Sequence, residues 1–256
     1  MADVRAQIDG AIGRIWLSQS DRLNAMTLDM WRELGEAVTA LDADAATRAI
    51  VIRGEGSEAF SAGADISEFS ELRATVEAAQ IYSRTVSAAL RSLLDARKPT
   101  VALIHGVCIG GGAGIAIACR LRFCDDALRF AIPAARLGVV YEREAIDALV
   151  GLTGPSRALD ILLSGRRLTA AEALQFGLVT RVTTPDDLDD QVEDYVSVLA
   201  DNAPLSMEGA IVAVRTRSAG PDDELEDLQR RAIESADYRE GRLAFLEKRR
   251  PRFTGQ

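Results

Sequence analysis

The chain carries 256 residues, 48% of them hydrophobic and 27% charged, an ordinary globular composition with enough apolar material for a sizeable core. Thirty Lys and Arg against 39 Asp and Glu leave a formal charge of −9. This argues against nucleic acid as a partner, since that binding depends on basic side chains neutralising phosphates. One histidine, His105, and three cysteines without a Cys-x-x-Cys spacing argue against a zinc site. Unpaired thiols fit a reducing cytoplasm, and MADVRAQIDG lacks the apolar run of a secretory signal.

Alternation around Gly10, from Val4 to Leu17, predicts a hairpin. Thr27 is placed to cap a helix carrying Leu28, Trp31, Leu34, Val38 and Leu41 on one face. An apolar strand at Ala49–Ile52 closes on Gly54 and Gly56, and a loop of small residues, Phe60 to Ile66, follows. A helix is expected from about Thr75 to Asp95. Pro99 to Cys119 holds no charged side chain and is about as long as a membrane span. Adjacent glycines at 110, 111 and 112 are poor helix formers, so a buried strand at Val101–Ile104, a turn, and a buried helix at Gly112–Cys119 are expected instead. Phe130–Ile132 forms a third short strand, giving a soluble α/β protein with no membrane association. After Val182 the periodicity turns helical, with one helix through Leu188, Val192, Tyr195 and Leu199 and another from Pro204. A charged helix is led in by Pro221 and ends near Arg249.

The glycine triplet sits between a strand and a helix, where bare N–H groups at the positive end of the helix dipole suit an anion or a developing oxyanion. A close strand–helix crossing is the alternative use of the same glycines. The spacing is neither a dinucleotide fingerprint nor a Walker loop. Ala59 to Ile66, the second small-residue loop, offers another backbone donor, so the two loops together suggest paired donors around one oxygen. His105 reads as a buried core residue, and no Gly-x-Ser-x-Gly elbow exists. Acid–base work therefore falls to carboxylates. Glu142, Glu144 and Asp147 follow the third strand, although they equally suit the charged first turn of a helix.

Leu23-Asn24-Ala25-Met26, Ala59–Phe69 (AFSAGADISEF), His105–Gly112 (HGVCIGGG) and Phe130–Gly138 (FAIPAARLG) occur in an order that resembles the enoyl-CoA hydratase/isomerase (crotonase) family. Gly154–Ala158, Gly177-Leu178-Val179 and the ending AFLEKRRPRFTG extend the resemblance over nearly the whole chain. It implies a crotonase-type spiral of β-β-α units, with an acyl-CoA-binding core over 1–200 and a helical trimerisation region over 201–256. A homotrimer or a dimer of trimers is expected. The implied ligand is an acyl-CoA thioester of fatty acid metabolism, with no metal and no cofactor beyond the coenzyme A of the substrate. Ala64 and Gly111 would supply the oxyanion-hole N–H groups. Arg22, Leu23, Ala25, Ala62, Asp65 and Ile66 would hold the coenzyme A, completed by Phe245 and Lys248 of this chain or of a neighbouring subunit.

The departures bear on the reaction. The family's hydratases carry one glutamate two positions after the triplet and another directly after the proline of the third strand. Those positions are Gly114 and Ala134 here. Glu142, in LGVVYE, instead matches the LG-x-x-x-E glutamate of peroxisomal-type Δ3,Δ2-enoyl-CoA isomerases, and nearly the nucleophilic aspartate of chlorobenzoyl-CoA dehalogenases. The Gly-Gly that follows in the isomerases is Arg143-Glu144. The expected reaction is isomerisation through a thioester enolate with Glu142 moving the proton and Glu144 as its rival. A hydratase or dehydratase with rearranged carboxylates, and a catalytically silent acyl-CoA binder, remain alternatives.

Overall fold

The computed structural model describes residues 2–68, 70, 74–216 and 222–256. Phe69, the last residue of the second motif, and Pro221, the expected lead into the final helix, lie outside the described residues. Two sheets organise the core. The larger contains β1 (Asp3–Asp9), β2 (Ile12–Ser18), β3 (Ala49–Gly54), β5 (Thr100–Ile104), β7 (Leu121–Asp125) and β10 (Arg181–Thr183), side by side in that order. The smaller contains β4 (Ala59–Ser61), β6 (Val107–Ile109), β8 (Arg129–Ala131) and β9 (Leu168–Thr169). Only β1–β2 and β8–β9 pair antiparallel among the described strands. Each strand of the large sheet from β3 to β7 continues directly into one of the small sheet. This is the β-β-α spiral of the crotonase fold.

The uninterrupted apolar runs are explained by burial on both faces of the large sheet. Ile50, Ile52, Ala102 and Ile104 face one cluster with α1 (Leu28–Ala43), α2 (Val76–Asp95) and α3 (Gly111–Ala118). Ala49, Val51, Val101 and Leu103 face a second cluster under Leu188, Val192 and Val196 of α7 (Leu188–Ala200). The span-like run from Pro99 is accordingly β5, β6 and α3, and no described helix is long and apolar enough to cross a membrane. Thr27 caps α1 by accepting from the Met30 N–H. Strand β7 escaped the sequence pattern because Arg122 and Asp125 interrupt its apolar residues. Both are buried, and Arg122 is satisfied by the carbonyls of Cys119 and Leu178.

The remaining helices are α4 (Arg143–Thr153), α5 (Pro155–Ser164), α6 (Ala170–Phe176), α8 (Pro204–Thr216), α9 (Asp223–Glu234) and α10 (Ala236–Glu247). The single charged helix expected toward Arg249 is two helices. Ser235 leaves helical geometry and caps α10 by accepting from the Tyr238 N–H.

His105 is a core residue, as expected, and it is clamped at both ring nitrogens. Nδ1 lies 3.0 Å from Asp125 and Nε2 2.9 Å from Asp189 of α7, which also contacts Arg53. The Asp125 hydrogen bond, helped by Asp189 and opposed by burial, raises His105 above its ordinary 6.5. Burial raises the Asp189 carboxyl, but its contacts with His105 and Arg53 outweigh this and hold it below 3.8. The His105 contribution is therefore complete below the unfolded histidine value and is lost as pH rises through the native one; the Asp189 contribution is lost as pH falls below its unfolded value. Thermal denaturation followed against pH should show the melting temperature declining through that upper range. His105→Gln should abolish this portion of the decline, and an unchanged profile would assign the decline elsewhere.

Candidate active site

Parallel pairing of β4 with β6 sets the two glycine-bearing loops against one another. Gly63 has φ +101°, and a side-chain carbon there would lie 2.8 Å from the Ile109 carbonyl and 3.2 Å from the Gly111 nitrogen. Only glycine fits such a conformation at such a distance. The Ala64 nitrogen is correspondingly near: a carbon built on Gly111 would sit 3.5 Å from it. Met26 receives the strand-like bonding of this loop through Met26 N–H to Gly63 O (2.7 Å) and Asp65 N–H to Met26 O (2.9 Å). That pattern leaves the Ala64 N–H on the opposite edge. Gly111 opens α3, so its N–H has no carbonyl one turn earlier within the helix. The close crossing expected of the glycine triplet is present. A carbon on Gly112 would collide with Ser61 at 2.5 Å, whereas Gly111 lines the cavity.

The cavity beside these two N–H groups measures about 140 Å³. Its walls include Ala62–Ala64, Ile66, Tyr82 and Val86 of α2, Ile109–Gly111, Pro133, Ala134, Leu137 and the stretch from Val139 to Glu142. Among the described residues, Glu142 is the one carboxylate on this wall. Extended at φ −62° and ψ 138°, it stands immediately before α4 as its N-cap, without a side-chain cap bond. Glu144 turns to α2 instead, accepting from Ser87 Oγ at 3.1 Å and Arg91 Nε at 2.7 Å. Burial pushes its carboxyl up, but a bond from its own backbone N–H, joined by the Arg91 and Ser87 contacts, outweighs that and lowers it overall. Asp147 pairs with Arg143 on the surface, at 2.7 Å.

Tyr141 is a wall residue that sequence reasoning did not select. Its hydroxyl donates to the Gly110 carbonyl at 2.7 Å, and a carbon on Gly114 would lie 2.9 Å from that hydroxyl oxygen. The ring occupies the space that any side chain at 114 would need. The bare glycine in an otherwise apolar helix was the available signal, but the chain alone does not say what fills the gap.

The nucleotide-side candidates are also gathered. Ala62 N–H donates to the Leu23 carbonyl at 2.9 Å, and Leu23 and Asn24 adopt left-handed φ of 52° and 56°. Asn24 holds that turn by donating to the Glu55 and Ala59 carbonyls. Asp65 braces the two loops through Gln19, Arg22 and Ser67 at 2.9, 3.0 and 2.7 Å. Burial raises the Asp65 carboxyl, but these hydrogen bonds prevail and hold it at about 2. Arg22 remains half exposed beside them, and Ile66 is 73% exposed. Phe245 lines a groove between α8, α9 and α10 and is 84% exposed, while Lys248 ends α10 in a left-handed turn. Within one chain neither residue reaches the cavity wall.

The family model for enoyl-CoA hydratase/isomerase matches residues 7–256. The chain belongs to the enoyl-CoA hydratase/isomerase family. It is an acyl-CoA enzyme, a lyase or an isomerase. A crystal structure of an enoyl-CoA hydratase/carnithine racemase from Magnetospirillum magneticum is 35% identical, covers 100% of this chain and 97% of its own, and superposes with a TM-score of 0.95. A carnitinyl-CoA dehydratase of Proteus mirabilis is 31% identical over 92% of both chains. A peroxisomal Delta(3,5)-Delta(2,4)-dienoyl-CoA isomerase of Arabidopsis thaliana is 27% identical over 98% of this chain and 95% of its own. The relatives thus include both dehydration and double-bond migration, and they leave the choice to the site.

Proposed function

We propose that this family member is an enoyl-CoA isomerase in which Glu142 removes a C2 proton and returns it at C4. The N–H groups of Ala64 and Gly111 hold the thioester oxygen as it gains charge. The observation that carries this reading is the single carboxylate, Glu142, on the wall of a small apolar cavity beside both N–H groups. Isomerisation needs one group that accepts and redelivers a proton, whereas hydration needs water activated on one side and the α-carbon protonated. Gly114 and Ala134 offer no carboxylate for that second task. Apart from Glu142 and the Tyr82 and Tyr141 hydroxyls, the wall side chains are apolar or absent, which suits an unsubstituted hydrocarbon acyl group. The transfer needs no cofactor besides the coenzyme A of the substrate.

The proposal extends to binding and assembly. Arg22, Leu23, Ala25, Ala62, Asp65 and Ile66 hold the coenzyme A, and Phe245 and Lys248 of a neighbouring subunit complete its site. Residues 201–256 form the trimerisation region of a homotrimer or a dimer of trimers, a reading supported by the exposed apolar Ile233, Phe245 and Leu246 around the α8–α10 groove. Three buried, unpaired thiols support a cytoplasmic setting.

The decisive assay supplies 3-hexenoyl-CoA to the purified protein and follows conjugated 2-hexenoyl-CoA by its ultraviolet absorption. Interconversion without 3-hydroxyhexanoyl-CoA is the expected result. Accumulation of the hydroxy product would establish hydration by rearranged groups. Tight binding without turnover of either enoyl thioester would make the protein a silent binder.

A further inference from the structure

We infer that Tyr141 is a positioning residue for the oxyanion hole, acting through the Gly110–Gly111 peptide. The inference rests on the reading of Ala64 and Gly111 as oxyanion donors. No cis peptide occurs among the described residues, so the C=O of Gly110 and the N–H of Gly111 point in opposite directions across one planar unit. The carbonyl end accepts from Tyr141 Oη at 2.7 Å and from the Gly114 N–H at 3.0 Å. Because a carbonyl can only accept, the phenol must be the donor. An amide that accepts at oxygen is polarised toward its charge-separated form and becomes a stronger donor at nitrogen, by roughly 10–30% per bond. Tyr141 therefore lies at one end of a single amide and the substrate oxygen at the other.

The same bond fixes orientation. Gly110 adopts φ 54° and ψ −115°, outside ordinary helical and strand geometry. Its peptide is held by the helix on one side and by a partly buried phenol on the other. Tyr141 reaches this carbonyl across space left by Gly114, where a side-chain carbon would press on the hydroxyl at 2.9 Å. Burial pushes the phenol well above its ordinary 10.0, with the Glu142 charge adding to the effect. It stays a donor throughout the working pH range. Tyr141 also adjoins Glu142 in sequence, so one extended segment carries both the proton-transferring carboxylate and the support for the oxyanion donor.

The test compares wild type with Tyr141→Phe, both assembled as purified, using butyryl-CoA labelled with carbon-13 at the thioester carbonyl. Infrared difference spectroscopy of the wild-type complex should show the carbonyl stretch moved to lower frequency. Tyr141→Phe should reduce that displacement, lower kcat on 3-hexenoyl-CoA by roughly 3- to 10-fold, and leave butyryl-CoA affinity within about twofold. It should leave the pH dependence of kcat unchanged, as a group that never titrates must. A full carbonyl displacement in Tyr141→Phe would overturn the inference, whether or not packing and melting temperature suffer. Absence of displacement in the wild type would overturn the oxyanion reading itself and this inference with it. Should the phenylalanine variant not fold, fluorotyrosine placed at 141 retains the shape with a stronger donor. A larger displacement then supports the role and an unchanged one overturns it.

Discussion

Glu142→Gln is expected to lower turnover of 3-hexenoyl-CoA by about 10²–10⁴-fold, the usual contribution of a positioned acid–base group. Glutamine keeps the length and shape of the side chain and cannot carry the proton between C2 and C4. Glu142 makes no side-chain cap bond at the helix start, so the variant removes no cap from α4. Acyl-CoA affinity and assembly should therefore persist, placing the loss in kcat. Proton exchange at C2 of butyryl-CoA in heavy water, followed by NMR, isolates the first transfer and should slow in parallel. Glu144→Gln is the matched control. Its carboxylate is engaged with Ser87 and Arg91, so its removal should lower stability and spare exchange. Equal exchange in wild type and Glu142→Gln would overturn the assignment, and loss in Glu144→Gln alone would transfer it.

Gly111→Pro should cost about 10²–10³-fold in kcat relative to Gly111→Ala, the range seen when one oxyanion donor is removed. Proline is tolerated at the first position of a helix, and Gly111 opens α3, so the backbone keeps its path while the N–H disappears. The alanine comparison is required because any side chain here meets Trp31: a carbon on Gly111 would lie 2.8 Å from Trp31 Cζ2. Alanine bears that packing cost and retains the donor. The ratio between the two variants thus reports the replacement of the N–H by the proline ring carbon. A ratio near one would remove Gly111 from the oxyanion hole, and circular dichroism and melting curves of both variants would confirm that the comparison is between folded proteins.

Much of this architecture was legible because burial on two faces leaves an unmistakable trace. The runs Ala49–Ile52 and Val101–Ile104 are apolar at every position, as strands between two hydrophobic layers must be. Thr27 and the glycine triplet were equally readable, since capping and tight approach restrict residue choice locally. Shorter strands were harder: β8 was expected one residue along, at Phe130–Ile132, whereas β4 and β6 have three residues each, too few for a period, and the buried charges of β7 disguised it. The long helix expected before Arg249 broke at Ser235 because its charged surface residues carry no mark of where the axis turns, while the cap itself is a single hydroxyl.

The sequence by itself determined the α/β class, the family, the two small-residue loops and the absence of carboxylates at 114 and 134. Each of these follows from residue identity at a position or from order along the chain. Tertiary structure decided which carboxylate faces the cavity. Glu142 and Glu144 are two residues apart, but one precedes α4 in extended geometry and the other lies within its first turn, against Arg91 of α2. It also decided that Tyr141 fills the room beside Gly114 and bonds the peptide of the proposed donor. Such facts depend on how separate elements are rotated and packed together, and side-chain direction across those contacts is set by partners distant in the chain.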